Sequence, residues 1–255
     1  MKRYFIYLGY NGAKYCGWQV QPNGITVQQV LEEALATLLR SAVPVVGAGR
    51  TDTGVHARMM VAHFDREEAV GGLPLLAGKL NRLLPKDIAI DRIVEVNEEA
   101  HARFSAVSRT YHYYVATQKS PFNYDSACRL YFQPDFGAMN EACRLLLEHT
   151  DFTSFSKLHT DVKTNNCRIS SAEWTDEGGG VWKFSVTADR FLRNMVRAIV
   201  GTLLEVGRGK LSADGFRQVI EAKDRGQAGT SAPAHALFLE DIRYPEEVFQ
   251  LKNAD

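Results

Sequence analysis

Apolar residues recur along the chain with two spacings, and each spacing predicts a different element. After Thr26, apolar side chains follow the three-and-four spacing of an amphipathic helix, and the Thr26 hydroxyl can cap the backbone near Gln29. Short aromatic and β-branched runs between glycine- or proline-rich turns are typical of strands. In the first half, this pattern predicts strands at residues 4–8, 43–46, 59–64 and 88–94, a helix from Thr26 and a helix at residues 73–84.

The second half repeats the order of the first. Its pattern predicts strands at residues 110–116, 169–174, 181–187 and 237–244, and helices at residues 139–147, 192–206 and 214–222. Both halves therefore have the predicted element order βαββαβ. This is the order of a ferredoxin-like split βαβ unit, which RRM domains also use. We expect an α+β fold in which residues 1–100 and 101–255 form two such halves, with mainly antiparallel sheets side by side and an active-site cleft between them.

Charge does not by itself indicate a nucleic-acid partner, because 30 Lys and Arg residues balance 30 Asp and Glu residues. The distribution is more informative than the sum. Between Arg190 and Lys210, five basic residues accompany a single acid, Glu205. A locally basic face can attract phosphates, although ordinary scattered surface charge explains the same run equally well.

Composition otherwise indicates a soluble globular enzyme, since 255 residues with 45% hydrophobic side chains can bury a full core. The N-terminus has no apolar segment long enough for a signal peptide, and no later run approaches the length of a membrane span. We therefore expect a cytoplasmic protein without a membrane partner. Four cysteines without a CxxC pair favour free thiols over a zinc site or a redox pair: Cys16, Cys128, Cys143 and Cys167.

One glycine-rich loop is the strongest candidate for chemistry. The stretch from Gly47 to Ala57 reads GAGRTDTGVHA and lies between two predicted strands of the first half. Its glycines permit unusual backbone angles and close approach of a ligand, so Arg50 and Asp52 are the side chains that the loop displays. Asp52 is a candidate catalytic carboxylate, but an aspartate that only hydrogen-bonds its own turn gives the same pattern.

Two rival functions fit parts of this pattern. A tandem RRM-like module would bind RNA without catalysis, yet it has no use for a carboxylate between glycines. A metal-assisted hydrolase or deaminase would use Asp52, His56 and His63, but Gly54 weakens that geometry and the HxE and PCxxC patterns of zinc deaminases are missing from the sequence. Structural or hydrogen-bonding roles are therefore favoured for these histidines and for His101.

Residues 47–56 resemble the GAGRTDxGVH signature of the TruA family of tRNA pseudouridine synthases. Residues 10–19 (YNGAKYCGWQ) resemble the family's YDGxxYxGWQ opening, with Asn11 where aspartate is usual. Further segments follow in the family's order, at residues 101–113, 191–201, 223–225 and 232–234. The resemblance therefore spans nearly the whole chain.

The resemblance implies an enzyme that isomerises uridine in tRNA without a metal or a cofactor. Asp52 matches the family's essential aspartate, which acts as a nucleophile at C1′ or as a base at C2′, and the sequence leaves both open. A cleft that excludes water favours the neutral acid, so a neighbouring cation is needed to keep the carboxylate charged, and Arg197 is the candidate. Tyr111 matches the tyrosine that stacks on the uracil and assists removal of the C5 proton. Along its strand, core packing is expected instead for Tyr113 or Tyr114, because alternation sends neighbours to opposite faces.

Two more residues take substrate-binding roles from the resemblance. Arg50 matches an arginine that occupies the space of the extruded nucleotide, which a planar guanidinium can do by stacking. Leu237 resembles the apolar residue that packs the other face of the base, with Ala236 where the family usually has glycine. Bacterial members of this length modify uridines 38, 39 and 40 of the anticodon stem-loop as homodimers, so the resemblance also implies a tRNA substrate and a second copy of the chain.

Overall fold

The computed structural model describes residues 1–157 and 164–251. Within these ranges the chain forms five α-helices and nine β-strands, and most of the strand pairs are antiparallel. The predicted α+β class with a mainly antiparallel sheet is therefore confirmed. No helix in the same ranges has both the length and the apolar character needed to cross a bilayer.

The chain divides into two compact units. Unit 1 contains Met1–Ser108 together with the segment that begins at Leu239, and unit 2 contains Arg109–Phe238. The sequence instead assigned the C-terminal segment to the second half. Its place in unit 1 has a local cause, because the Asn97 N–H donates to the Val248 carbonyl at 2.9 Å.

Unit 1 has the predicted βαββαβ order. Its elements are β1 (Lys2–Tyr10), α1 (Val27–Leu39), β2 (Val46–Gly47), β3 (His56–Arg66), α2 (Leu73–Leu83) and β4 (Ile88–Val96). Strand β1 lies between β3 and β4, and β2 pairs with β3. Every residue from Tyr4 to Leu8 is at most 4% exposed, so both faces of the central strand are covered. This explains why β1 reads as a continuous apolar run rather than an alternating one.

The predicted strand at residues 43–46 is wrong except for its last residue, because β2 contains only Val46–Gly47. Val45 is buried, but its backbone pairs with a helix instead of a strand. Its N–H donates to the Glu32 carboxylate at 2.9 Å, and its carbonyl accepts from the Gln28 amide at 3.0 Å. Since Pro44 has no N–H for a ladder, side chains of α1 satisfy the backbone at this point.

Unit 2 contains a second set of paired strands with helices. Its elements are β5 (Ser108–Ala116), β6 (Cys128–Arg129), α3 (Phe136–Leu145), β7 (Ile169–Gly178), β8 (Val181–Ala188), α4 (Met195–Gly207) and α5 (Ala213–Glu221), and β9 (Leu237–Arg243) begins in unit 2 and continues in unit 1. Strand β8 lies between β5 and β7, and α3 packs against α4, α5 and β7. The two-residue strand β6, which pairs with β5, had no signal in the sequence pattern.

Two helices of unit 2 begin away from their predicted starts. Helix α3 begins three residues early, because the Asp135 carboxylate caps the Ala138 N–H at 2.9 Å. Helix α4 begins three residues late, because Asn194 has φ +67°, a left-handed conformation that cannot continue an α-helix. Local capping chemistry decides both boundaries, whereas apolar periodicity alone predicted them.

Helix α4 is the most deeply buried helix of unit 2, with eleven of its thirteen residues buried. Gly201 lies where the backbone of a later segment crosses the helix. A Cβ at Gly201 would collide with the Thr230 carbonyl oxygen, and a Cβ at Gly229 would come within 3.0 Å of the Gly201 backbone. The absence of a side chain at this position is therefore a packing requirement.

Gly201→Ala should destabilise the protein, although alanine in a helix interior normally stabilises by about 1 kcal/mol relative to glycine. The added methyl group must displace the Thr230 backbone, and we expect a net loss of about 1–3 kcal/mol in the free energy of unfolding, measured in urea. The matched control is Gly78→Ala in α2, where a Cβ meets nothing within 4 Å. That control should gain stability, and a similar gain for Gly201→Ala would contradict the packing described.

His63 and His101 lie together in unit 1, with ring centroids 4.6 Å apart. The His63 Nδ1 accepts the N–H of Ala102 at 3.1 Å, which is the hydrogen-bonding role that the sequence favoured. Burial, together with the nearby Arg3 guanidinium and His101, lowers the pKa of His63 to about 4. Asp65 opposes this shift in pKa, but its carboxylate is engaged by Arg3 through two hydrogen bonds of 2.7 and 2.8 Å.

This shift in the pKa of His63 predicts a loss of stability on acidification. The unfolded chain takes up a proton near pH 6.5, whereas the folded chain does so only near pH 4, so the contribution is complete above pH 6.5 and falls as the pH drops through this window. We expect a loss of about 2 kcal/mol in the unfolding free energy between pH 7.5 and pH 5. His63→Asn keeps an acceptor for Ala102 but does not titrate, so its urea unfolding should lose less over the same range. Equal losses in both proteins would refute this role.

Candidate active site

The glycine-rich loop joins β2 to β3 and is anchored at Thr51. The Thr51 hydroxyl lies 2.9 Å from the Tyr10 hydroxyl, and the Thr51 carbonyl accepts the Trp18 N–H at 3.2 Å. Thr51 is 8% exposed, whereas Arg50 on one side is exposed and Asp52 on the other is half-buried. The loop therefore displays the two side chains that the sequence singled out, on either side of a fixed residue.

Segment 10–18 supports the loop by packing its glycines against the loop backbone. A Cβ at Gly12 would collide with the Val55 carbonyl, and one at Gly17 would collide with the Thr51 carbonyl. Gly17 also has φ +83°. A side chain at this position is therefore disfavoured both by the collision and by the backbone conformation. The Trp18 indole occupies the space that a side chain at Gly47 would need. These contacts explain in physical terms why the two sequence motifs occur together.

Backbone hydrogen bonds close the turn at Asp52. The Val55 N–H donates to the Asp52 backbone carbonyl at 3.1 Å, and the Gly54 N–H donates to the Tyr15 carbonyl at 3.4 Å. Both N–H groups that an Asx-type turn would use are therefore already satisfied by backbone acceptors. This arrangement weakens the purely structural interpretation of Asp52.

His56 belongs to the support of the loop. It is 3% exposed, and its Nδ1 accepts the Gly12 N–H at 3.1 Å. Through this bond, β3 holds the start of segment 10–18, which in turn holds Thr51. Over residues 1–157 and 164–251, no group of three or more His, Cys, Asp and Glu side chains is arranged to hold a metal ion.

Tyr111 lies on β5, where it pairs with Val186 of β8. Its half-buried ring meets the edge of Phe191 at a centroid distance of 5.0 Å. Tyr113 is the fully buried tyrosine of this strand, as the sequence suggested, but the reason given was wrong. Residues two apart share a face, so alternation places Tyr113 on the same side as Tyr111, and depth within the unit separates them. Tyr114, on the opposite side, packs its ring against Phe238.

Arg197 lies near the start of α4 and is one of the two residues of that helix that are not buried. Its Nε donates to the Ala232 carbonyl at 2.7 Å, and the Ala232 N–H donates back to the Arg197 carbonyl at 2.9 Å. This reciprocal pair fixes the side chain close to its own backbone. The sequence did not predict the partner, because 35 positions separate the two residues.

Leu237 begins β9 and is 5% exposed. It follows a short 3₁₀ turn, Ala234–Ala236, in which the Leu237 N–H donates to the Ala234 carbonyl. Ala236 is fully buried and is not among the residues with positive φ, so the backbone here accepts an alanine without strain. The departure from glycine at this position therefore does not disturb the local backbone path.

The candidate residues are divided between the two units. Arg50 and Asp52 belong to unit 1, whereas Tyr111, Arg197 and Leu237 belong to unit 2. The first two lie together on one anchored loop. That all five form a single site stays a prediction.

Comparison with known proteins gives a consistent result. A family model described as tRNA pseudouridine synthase matches residues 7–105 and 142–245. A protein of Parabacteroides distasonis named tRNA pseudouridine synthase A is 68% identical over 253 residues, which cover 99% of this chain and 100% of that protein. Proteins with the same name from Bacteroides thetaiotaomicron and Bacillus subtilis are 61% and 42% identical, covering 98% and 93% of this chain and 93% and 97% of theirs. The chain therefore belongs to the TruA family of tRNA pseudouridine synthases.

Proposed function

We propose that this protein isomerises uridine to pseudouridine in tRNA, with Asp52 as the reacting carboxylate and without a cofactor. The proposal rests mainly on how the backbone around Asp52 is held. It lies half-buried beside the doubly held Thr51, in a turn that backbone hydrogen bonds already close. A carboxylate on a backbone that is already held by hydrogen bonds is what a preorganised catalytic group needs. Membership of the family supports the reaction type and the substrate class.

The reaction exchanges one bond for another within a single nucleotide. The N1–C1′ bond breaks, the uracil turns, and C5 forms a new bond to C1′. The proton then leaves C5 and N1 gains one, so that the product is an isomer of the substrate. An ionised Asp52 serves either as the nucleophile at C1′ or as the base at C2′, and both routes belong to this proposal.

Two residues of unit 2 complete the proposed chemistry. Arg197 supplies the positive charge that keeps Asp52 ionised when substrate binding removes water. Its Nε anchor on Ala232 supports this role, because a guanidinium has five N–H donors and one anchored donor still allows an ionic contact through the others. Tyr111 stacks on the uracil and assists removal of the C5 proton, with its ring held by the T-shaped contact with Phe191.

Arg50 and Leu237 take the substrate-binding roles in this proposal. Arg50 occupies the gap left by the extruded nucleotide, which its exposed position on the loop supports. Leu237 contacts the other face of the base. The targets are uridines 38, 39 and 40 of the anticodon stem-loop, and the enzyme acts as a cytoplasmic homodimer. Family resemblance supports these finer features.

Asp52→Asn should lower the rate of tritium release from tRNA labelled with [5-³H]uridine by about 10³-fold, because the amide is neither a nucleophile nor a base. The Kd for tRNA should change less than about threefold, since the carboxylate acts after docking. Asp125→Asn, at an exposed aspartate of unit 2, is the control and should keep the wild-type rate. Full activity of Asp52→Asn would remove the proposed mechanism, and wild-type activity lost to EDTA and restored by a divalent ion would favour the metal-assisted alternative.

Arg50→Ala should slow modification of a base-paired uridine by about tenfold or more, because unstacking costs a few kcal/mol that the guanidinium helps to offset. The same variant should act nearly normally on a transcript whose target uridine has been left unpaired by changing the opposite base. Arg82→Ala, at an exposed arginine of α2, controls for the loss of one positive charge. An equal loss of rate on both transcripts would show that Arg50 does not act in base extrusion.

A further inference from the structure

Segment 228–232 lies along α4 and is attached to it at several points around Arg197. The Gly229 N–H donates to the Thr202 hydroxyl at 2.9 Å, and Gly201 leaves room for the Thr230 carbonyl. The reciprocal bonds between Ala232 and Arg197 form the last attachment. The orientation of the Arg197 guanidinium therefore depends on where this segment places the Ala232 carbonyl.

Ser231 connects this segment to the start of α4. Its Oγ accepts from the Asn194 amide at 2.6 Å and from Arg225 Nη2 at 2.9 Å. A hydroxyl oxygen has two lone pairs, so both donors can bind at once. Asn194 lies three residues before Arg197 and has a left-handed backbone conformation, with φ +67°. Arg225 also donates to the Ala228 carbonyl at 3.3 Å, which closes the segment on itself.

The Ser231 hydroxyl is adjacent in the chain to the residue that holds the guanidinium. If the hydroxyl is removed, the two donors lose their shared acceptor, and the peptide that carries the Ala232 carbonyl loses its constraint on one side. The hydrogen bond from the Gly229 N–H to Thr202 and the one from the Ala232 N–H to the Arg197 carbonyl remain. The fold is therefore retained, while the Ala232 carbonyl becomes more mobile. A displacement of well under 1 Å is enough to weaken a charge-assisted contact made by the same guanidinium.

We propose that Ser231, held by Asn194 and Arg225, is a positioning residue that sets the orientation of the Arg197 guanidinium during uridine isomerisation. The inference rests on the proposed function, because it gives a task to the charge that Arg197 supplies. Ser231 does not touch the reacting atoms and acts through the Ala232 carbonyl.

Ser231→Ala tests the proposal through a split between kcat and KM. The kcat for tRNA should fall about tenfold, while KM and the Kd for tRNA change less than about twofold, because docking does not depend on the guanidinium orientation. The acid limb of the kcat–pH profile should move to higher pH, since a loosened cation stabilises the ionised carboxylate less. Ser231→Thr keeps the hydroxyl and should restore kcat to within about twofold of wild type.

A second pair of variants separates positioning from general loss of structure. Asn194→Gly removes the amide without straining a residue of positive φ, and it should lower kcat in the same way. The double variant Asn194→Gly, Ser231→Ala should be no slower than the more affected single variant, because both act through one shared contact. Ser170→Ala, at an exposed hydroxyl of β7, is the matched control and should keep the wild-type kcat and pH profile.

The outcomes are distinguishable. A Ser231→Ala protein with lower thermal stability but unchanged kcat and acid limb would assign Ser231 a structural role only and overturn the proposal. A wild-type protein that releases no tritium would overturn the proposed function and this inference together. An active wild type with an inactive Asp52→Asn and an unaffected Ser231→Ala would retain the function and remove only the positioning role.

Discussion

The glycine-rich loop depends on the hydrogen bonds that hold Thr51. The Thr51 hydroxyl hydrogen-bonds the Tyr10 hydroxyl, and the Thr51 carbonyl accepts the Trp18 N–H. The side chain and the backbone of this small buried residue are therefore both bonded to segment 10–18. Thr51 is buried, whereas its neighbours Arg50 and Asp52 are exposed and half-buried, respectively. A single anchored residue thus accounts for the display of two charged ones.

The glycines of the two unit 1 motifs are needed because the loop backbone approaches so closely. Carbonyl oxygens of the loop lie where side chains at Gly12 and Gly17 would be, and His56 closes the arrangement from β3. Asn11, which departs from the usual aspartate, keeps the function of its position, because its side-chain oxygen accepts the Ala13 N–H at 3.0 Å. A carboxylate and an amide oxygen are equivalent acceptors for that bond, so the departure does not disturb the support of the loop.

Periodicity and turn chemistry predicted most elements because those signals are local. They failed where a distant residue supplied the hydrogen bond, as when Glu32 satisfies the backbone of Val45. The candidate site residues came from the resemblance, since spacing alone left Asp52 indistinguishable from a turn aspartate. The supports of these residues were missed for the same physical reason. The partners of Thr51 and Arg197 are 33 to 41 positions away in sequence, and only folding brings them into contact.

The two candidate charged residues, Asp52 and Arg197, are held in place in similar ways. Asp52 follows the buried Thr51, which makes two hydrogen bonds to segment 10–18, and Arg197 lies between buried residues of α4 and makes reciprocal hydrogen bonds with Ala232. In a site from which water is excluded, fixed charges are worth more than mobile ones because they need no reorganisation during the reaction. A chain with no net charge can therefore act on a polyanion, since catalysis depends on where a few charges are held and not on their sum. In the proposed mechanism, the buried Thr51 and the half-buried Ser231 influence the chemistry through geometry alone.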